Sequence, residues 1–190
     1  LVTTTRYWRA LAFIDDAPEQ QPFYEQAVWY WAKGYAFVLV DTRGSGASFG
    51  AREAEISPAE VDDIGEVIDW LAEQPWCDGR VATTGASYTA NTTLHSLAMS
   101  TPALKLGVCR AAAFDVYSHL MAPGGIVNTW SIDNWGGSTG LQDANDIEAL
   151  REAGSWVSLG KDTDKVIGVR PVDGDKDGRQ LAAAIAEHRA

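Results

Sequence analysis

Residues 80 to 100 combine residue types in an order that could do covalent chemistry. Arg80-Val81-Ala82-Thr83-Thr84 reads as a strand and leads directly into Gly85-Ala86-Ser87-Tyr88, then a helical stretch stopped at Thr101-Pro102. A serine on such a turn has its hydroxyl exposed, and small residues before it prevent clashes across the turn. The helix amino-terminus behind it offers unpaired N–H groups to a developing oxyanion. The chemistry would be nucleophilic attack on a carbonyl. The simplest form of this pattern has glycine two residues after the serine, whereas here Thr89 and Ala90 follow. On pattern alone an ordinary glycine–serine turn accounts for the residues equally well. A serine also needs a base, and the chain offers only His95, His119 and His188. His95 is carried away along the helix that starts at Ser87, His119 begins the second part of the chain, and His188 sits on the apolar face of a closing helix; none of the three is expected to be the base. Asp41 and Asp115 stand at strand ends, where a carboxylate is expected to satisfy loop amides.

The elements that must position Ser87 are a series of alternating strands and helices. Leu1 to Tyr7 is a short β-branched strand, separated by the polar stretch Asp15 to Gln21 from a helix opening at Pro22 and running to Lys33. Gly34 fits a left-handed cap, and Tyr35 to Val40 is an apolar run expected to be a buried parallel strand. The glycine-rich loop Asp41 to Gly50 follows. Ser57-Pro58-Ala59-Glu60 is a capping box, with Val61, Ile64, Ile68 and Leu71 at helical spacing behind it and a stop before Pro75. After the strand and helix around Ser87, a fourth strand falls within Leu104 to Ala113. This alternation predicts an α/β fold with a parallel sheet and crossover helices. From about Asp115 the character changes to glycine-punctuated and helical segments, the last helix capped by Asp177 and carrying Leu181, Ala184, Ile185 and His188 on one face. The division expected is 1–114 for the core and 115–190 for a helical appendage.

Composition narrows the partners. The chain of 190 residues is 46% apolar, with 15 basic against 26 acidic residues and a net charge of −11, which disfavours phosphate backbones and anionic membranes. No nucleic acid and no membrane partner is expected. Cys77 and Cys109 are the only cysteines, without ligand spacing for a metal or a disulfide framework. A dinucleotide fingerprint at Gly44-Ser45-Gly46 fails, because the next glycine comes at 50 and no helix opens directly after it.

Several separated motifs resemble one family, that of bacterial cocaine esterase, α-amino acid ester hydrolases and X-prolyl dipeptidyl peptidases. Thr5-Arg6-Tyr7-Trp8 is similar to its strand end with an oxyanion-hole tyrosine, and Asp41-Thr42-Arg43-Gly44 with Ser48-Phe49-Gly50 resembles its D-x-R-G-x-x-x-S-x-G loop. Trp70 to Gly79 is similar to the segment before its nucleophile strand, and Gly85-Ala86-Ser87-Tyr88 resembles its G-x-S-Y-x-G elbow with Ala90 in place of the last glycine. The resemblance implies an α/β-hydrolase core with part of a helical cap, Ser87 as nucleophile, and an oxyanion held by the Tyr88 N–H and the Tyr7 hydroxyl. It also implies an acyl pocket lined by Trp135, a small ester or short peptide as substrate, and no cofactor and no metal. It leads to the expectation that the chain ends inside the cap, ahead of the catalytic acid and histidine. An acyl esterase is the reading preferred over an X-prolyl dipeptidyl peptidase, and a non-catalytic hydrolase-like binding module is the reading of another class.

Overall fold

The computed structural model describes residues 1–13, 21–152 and 166–169; the expected closing helix with His188 lies outside them. The elements in order are β1 (Val2–Thr5), β2 (Leu11–Phe13), α1 (Tyr24–Trp31), β3 (Val38–Asp41), α2 (Pro58–Ala72), β4 (Val81–Ala86), α3 (Tyr88–Ala98) and β5 (Leu104–Arg110). Beyond these come π-helical turns at Tyr117–Met121 and Ser131–Gly136, then α4 (Gly137–Asp143), α5 (Ile147–Glu152) and β6 (Val166–Val169). No described helix is long and apolar enough to cross a membrane.

The main sheet is parallel, with order β3-β1-β4-β5. β1 is central, and all four of its residues are buried although three are threonines. Polar groups of β1 and of the strand and helix packed on it pair with one another. Thr3 donates to the Thr84 carbonyl at 2.7 Å, Thr92 of α3 to the Thr4 carbonyl at 3.2 Å, and Thr83 shares a 3.1 Å hydrogen bond with Ser96. A satisfied hydroxyl interface of this kind packs tightly without stranding polar groups. The other face is apolar: Val2, Ile64, Ile68, Leu71 and Val81 form a buried cluster that joins α2 to β1 and β4.

Two boundaries differ from expectation. β3 starts at Val38 instead of Tyr35 and is half-buried until Asp41; among the described residues it pairs with β1 alone. α1 begins at Tyr24, since Phe23 adopts a left-handed φ of 63° that breaks the helix after Pro22. Half of the capping box forms: the Ser57 side chain accepts from the Glu60 N–H, with Pro58 opening α2, while the Glu60 side chain accepts from the Ile56 N–H in place of the Ser57 N–H. The region after residue 115 is not wholly helical, because β6 pairs antiparallel with β2 in a second, two-stranded sheet.

Candidate active site at the turn between β4 and α3

Ser87 links the end of β4 to the start of α3 at φ 58°, ψ −123°. That is a strained conformation for a residue with a side chain, and three contacts enforce it. The Ser87 N–H donates to the Arg110 carbonyl of β5 at 3.0 Å, and the Ser87 carbonyl accepts from the N–H groups of Ala90 and Asn91. Thr89 closes the turn: its hydroxyl accepts from the Ala86 N–H at 2.7 Å and donates to the Ala86 carbonyl at 2.9 Å. The departure from glycine at position 89 is therefore a hydrogen-bonded brace. Gly85 makes the close approach possible, since a Cβ there would lie 2.2 Å from the Thr89 carbonyl carbon and oxygen. The fully buried Ala90 is accommodated behind the turn. Ser87 is exposed, and among the described residues none accepts from the Tyr88 N–H that follows it.

Tyr7 reaches the same place from the end of β1. Its ring meets that of Tyr88 edge-on, with centroids 5.8 Å apart. Its approach is fixed by Trp8, a fully buried residue in the left-handed region (φ 63°) that packs with Leu11 and Leu150. Trp135 completes the group: its indole N–H donates to the Tyr7 hydroxyl at 2.9 Å. Burial, the leading cause, pushes the Tyr7 phenol above its ordinary range against that hydrogen bond and the charges of Arg6 and Arg52, so the group stays a proton donor at neutral pH. The structure thus brings together Tyr7, Tyr88 and Trp135, three of the residues singled out in the sequence, beside the Ser87 turn.

The Tyr88 side chain points into the fold, where its hydroxyl donates to the buried carboxyl of Glu60. Burial of Glu60 raises its carboxyl above the usual range, offset by the Tyr88 hydrogen bond, the Arg52 charge, the Ile56 N–H and the Arg6 charge. Sequence reading gave Glu60 a capping task only. The structure adds the Tyr88 contact, and Glu60 Oε2 accepts from the Ile56 N–H at 3.2 Å.

Asp41 behaves as a loop organiser. It accepts from the Arg9 N–H at 2.6 Å and the Ala47 N–H at 3.1 Å, and its carboxylate fills the space a Cβ on Gly46 would need. Arg43 of the same loop grips Asp63 of α2 through two 2.6 Å hydrogen bonds. Asp115 caps the Tyr117–Met121 turn through the Tyr117 N–H and the Ser118 hydroxyl. Neither aspartate contacts Ser87 among the described residues. His95 and His119 are both exposed; His95 lies about 12 Å along the helix axis from Ser87 at 1.5 Å per residue, and His119 faces the Asp115 N–H at 3.5 Å. A cavity of about 410 Å³ lies elsewhere, between β3 and α2, lined by Val40, Phe49, Ile64, Val67 and Trp70.

The family model for X-Pro dipeptidyl-peptidase (S15 family) matches residues 1–165. The chain belongs to the S15 family. Proteins carrying the name serine esterase in Mycobacterium bovis and Mycobacterium tuberculosis are each 43% identical to it over 159 residues, covering 83% of this chain and 24% of theirs. The cocaine esterase of a Rhodococcus species is 31% identical over 144 residues, covering 73% of this chain and 24% of its own. The chain therefore spans about a quarter of the length of the curated S15 relatives it matches. A crystal structure of a CocE/NonD family hydrolase from Staphylococcus aureus superimposes with a TM-score of 0.59 at 24% identity, over 80% of this chain and 30% of that one. Together with the parallel sheet and its crossover helices, this gives the chain an α/β-hydrolase fold.

Proposed function

We propose that this chain carries the nucleophile and oxyanion donors of a serine hydrolase that cleaves esters. The observation that carries the reading is the exposed Ser87 at φ 58°, ψ −123° between a parallel strand and a helix amino-terminus, the geometry an attacking hydroxyl needs. Ser87 Oγ adds to the carbonyl carbon of the substrate as its proton passes to a base. The resulting oxyanion takes hydrogen bonds from the Tyr88 N–H and the Tyr7 hydroxyl, the alcohol leaves, and water releases the acyl group. The Tyr7 proton supports this role, because among the described residues nothing accepts it. Trp135 lines the acyl side, and the substrate is a small ester or short peptide. No cofactor takes part in these steps. Residues 1–114 form the hydrolase core and 115–190 the cap segment in this reading.

Esterase names on relatives 43% and 31% identical favour ester cleavage, while the family description favours an X-Pro peptide. Hydrolysis of p-nitrophenyl acetate and of a glycyl-prolyl p-nitroanilide by the full-length gene product separates the two. The expected result is Ser87-dependent turnover of the ester with a larger kcat/KM than the anilide. Preference for the anilide would transfer the assignment to the peptidase, and loss of neither activity in Ser87→Ala would remove Ser87 from the mechanism.

A further inference from the structure

We propose that Arg6, Arg52, Glu55 and Asp143 form a positioning device for the Tyr7 hydroxyl, acting through Trp135. The proposal rests on the serine-hydrolase reading and adds to it the means by which one oxyanion donor is aimed.

Arg6 directly precedes Tyr7, and its side chain is 1% exposed. Its guanidinium donates to Glu55, to Asp143 at 2.9 Å and to the Thr139 carbonyl at 2.9 Å. Thr139 and Asp143 belong to α4, which continues directly from the turn bearing Trp135. Arg52, its side chain 4% exposed, pairs with Asp143 and lies 3.7 Å from Glu55. Two buried guanidinium groups thus share two carboxylates at the rim of the cluster. They join the end of β1 and the loop before α2 to a segment 137 and 91 residues away in sequence, respectively. The Arg6 guanidinium also lies 5.5 Å from the centroid of the Trp135 ring, so the same side chain that anchors α4 orients the indole.

The result at Tyr7 is specific. The indole N–H occupies an acceptor site of the phenol oxygen, which leaves the phenol proton to point elsewhere and strengthens it as a donor. Among the described residues that proton has no acceptor. Ion pairs whose carboxylates are 29% and 38% exposed add little net stability, so geometric control of Tyr7 and Trp135 is the better account of why charge is placed here.

The test is a double-mutant cycle on ester hydrolysis by the full-length gene product, with Tyr7→Phe and Asp143→Ala alone and combined. Tyr7→Phe is expected to lower kcat by about 10²-fold, as loss of one oxyanion donor does. Asp143→Ala is expected to lower kcat about 10-fold with KM within twofold, and to have no further effect when Tyr7 is already phenylalanine. An equal loss in both backgrounds, or no loss, overturns the device while leaving the reading of Tyr7 intact. An unchanged kcat in Tyr7→Phe overturns both. Should Asp143→Ala fail to fold, Asp143→Asn carries the test, because it keeps the size of the side chain and removes the charge that Arg6 and Arg52 share: its loss in kcat must vanish in the Tyr7→Phe background, and persistence there refutes the proposal.

Discussion

Replacing Gly85 by alanine puts a methyl carbon where the strand and helix leave no room. The new Cβ would lie 2.2 Å from the Thr89 carbonyl carbon and oxygen and 2.4 Å from the Thr89 hydroxyl. The first two are backbone atoms, so no rotamer change clears them and the start of α3 must withdraw from β4. Overpacking of this kind costs about 1–3 kcal/mol. Withdrawal also breaks the two Thr89–Ala86 hydrogen bonds, at about 1 kcal/mol each. The sum is about 3–5 kcal/mol, a fall in Tm of about 6–20 °C for a chain of this size. Gly34→Ala is the control: Gly34 has a φ of +79° and nothing within 4 Å of its Cβ position, so only left-handed strain of about 1–2 kcal/mol is expected. Calorimetric melting of the three proteins reads the stability, and fluorophosphonate labelling of the full-length gene product at 25 °C reads the turn. Gly85→Ala should melt well below Gly34→Ala and lose labelling while still folded. A melting point within 2 °C of the parent, with labelling unchanged, would refute the claim that Gly85 sets the approach of α3 to β4.

Thr89→Val keeps the shape of the brace but removes both its hydrogen bonds, and should lower stability by about 2 kcal/mol; Thr89→Ser keeps both bonds and loses one methyl, about 1 kcal/mol, so urea melts that rank serine below valine would contradict the brace. Glu60 supplies a pH dependence of definite sign. Its folded carboxyl value is raised by burial, so the folded state binds more protons than the unfolded one above the ordinary glutamate value of about 4.3. The stability it contributes is complete below that value and lost as pH rises through the raised folded value. The difference in unfolding free energy between the parent and Glu60→Gln should therefore fall as pH rises through that window and level off above it; a difference that grows with pH would show Glu60 to be stabilised as a carboxylate.

The part of the site written in local order was legible in the sequence. Strand residues followed by Gly85-Ala86-Ser87 and a helix put a serine on a turn, which alone does not separate a nucleophile from an ordinary glycine–serine turn, and Asp41 and Asp115 satisfy loop groups as strand-end carboxylates do. Thr89 could have been found, because a threonine in the first turn of a helix is placed to bond backward to the strand; the pattern of glycines drew attention from it. The cluster of Arg6, Arg52, Glu55 and Asp143 had no such signal. Its members are up to 137 residues apart, and only the oddity of an arginine at the end of a buried threonine strand marked Arg6. The Trp135 bond to Tyr7 spans 128 residues and depends on how the turn before α4 is laid across β1, which no periodicity records. The apolar run before Asp41 showed a strand, but its start was misplaced, because Tyr35, Ala36 and Phe37 are apolar without belonging to β3 (Val38–Asp41), and hydrophobicity alone does not mark where a strand begins.

The central claim is that Ser87 is the nucleophile. The measurement that tests it most directly is reaction of the full-length gene product with a fluorophosphonate, followed by mass mapping of the modified peptide, with Ser87→Ala alongside. The account predicts a single phosphonylated serine at position 87, none in the variant, and ester turnover lost in proportion to labelling. Modification at another serine with turnover intact in Ser87→Ala would contradict it.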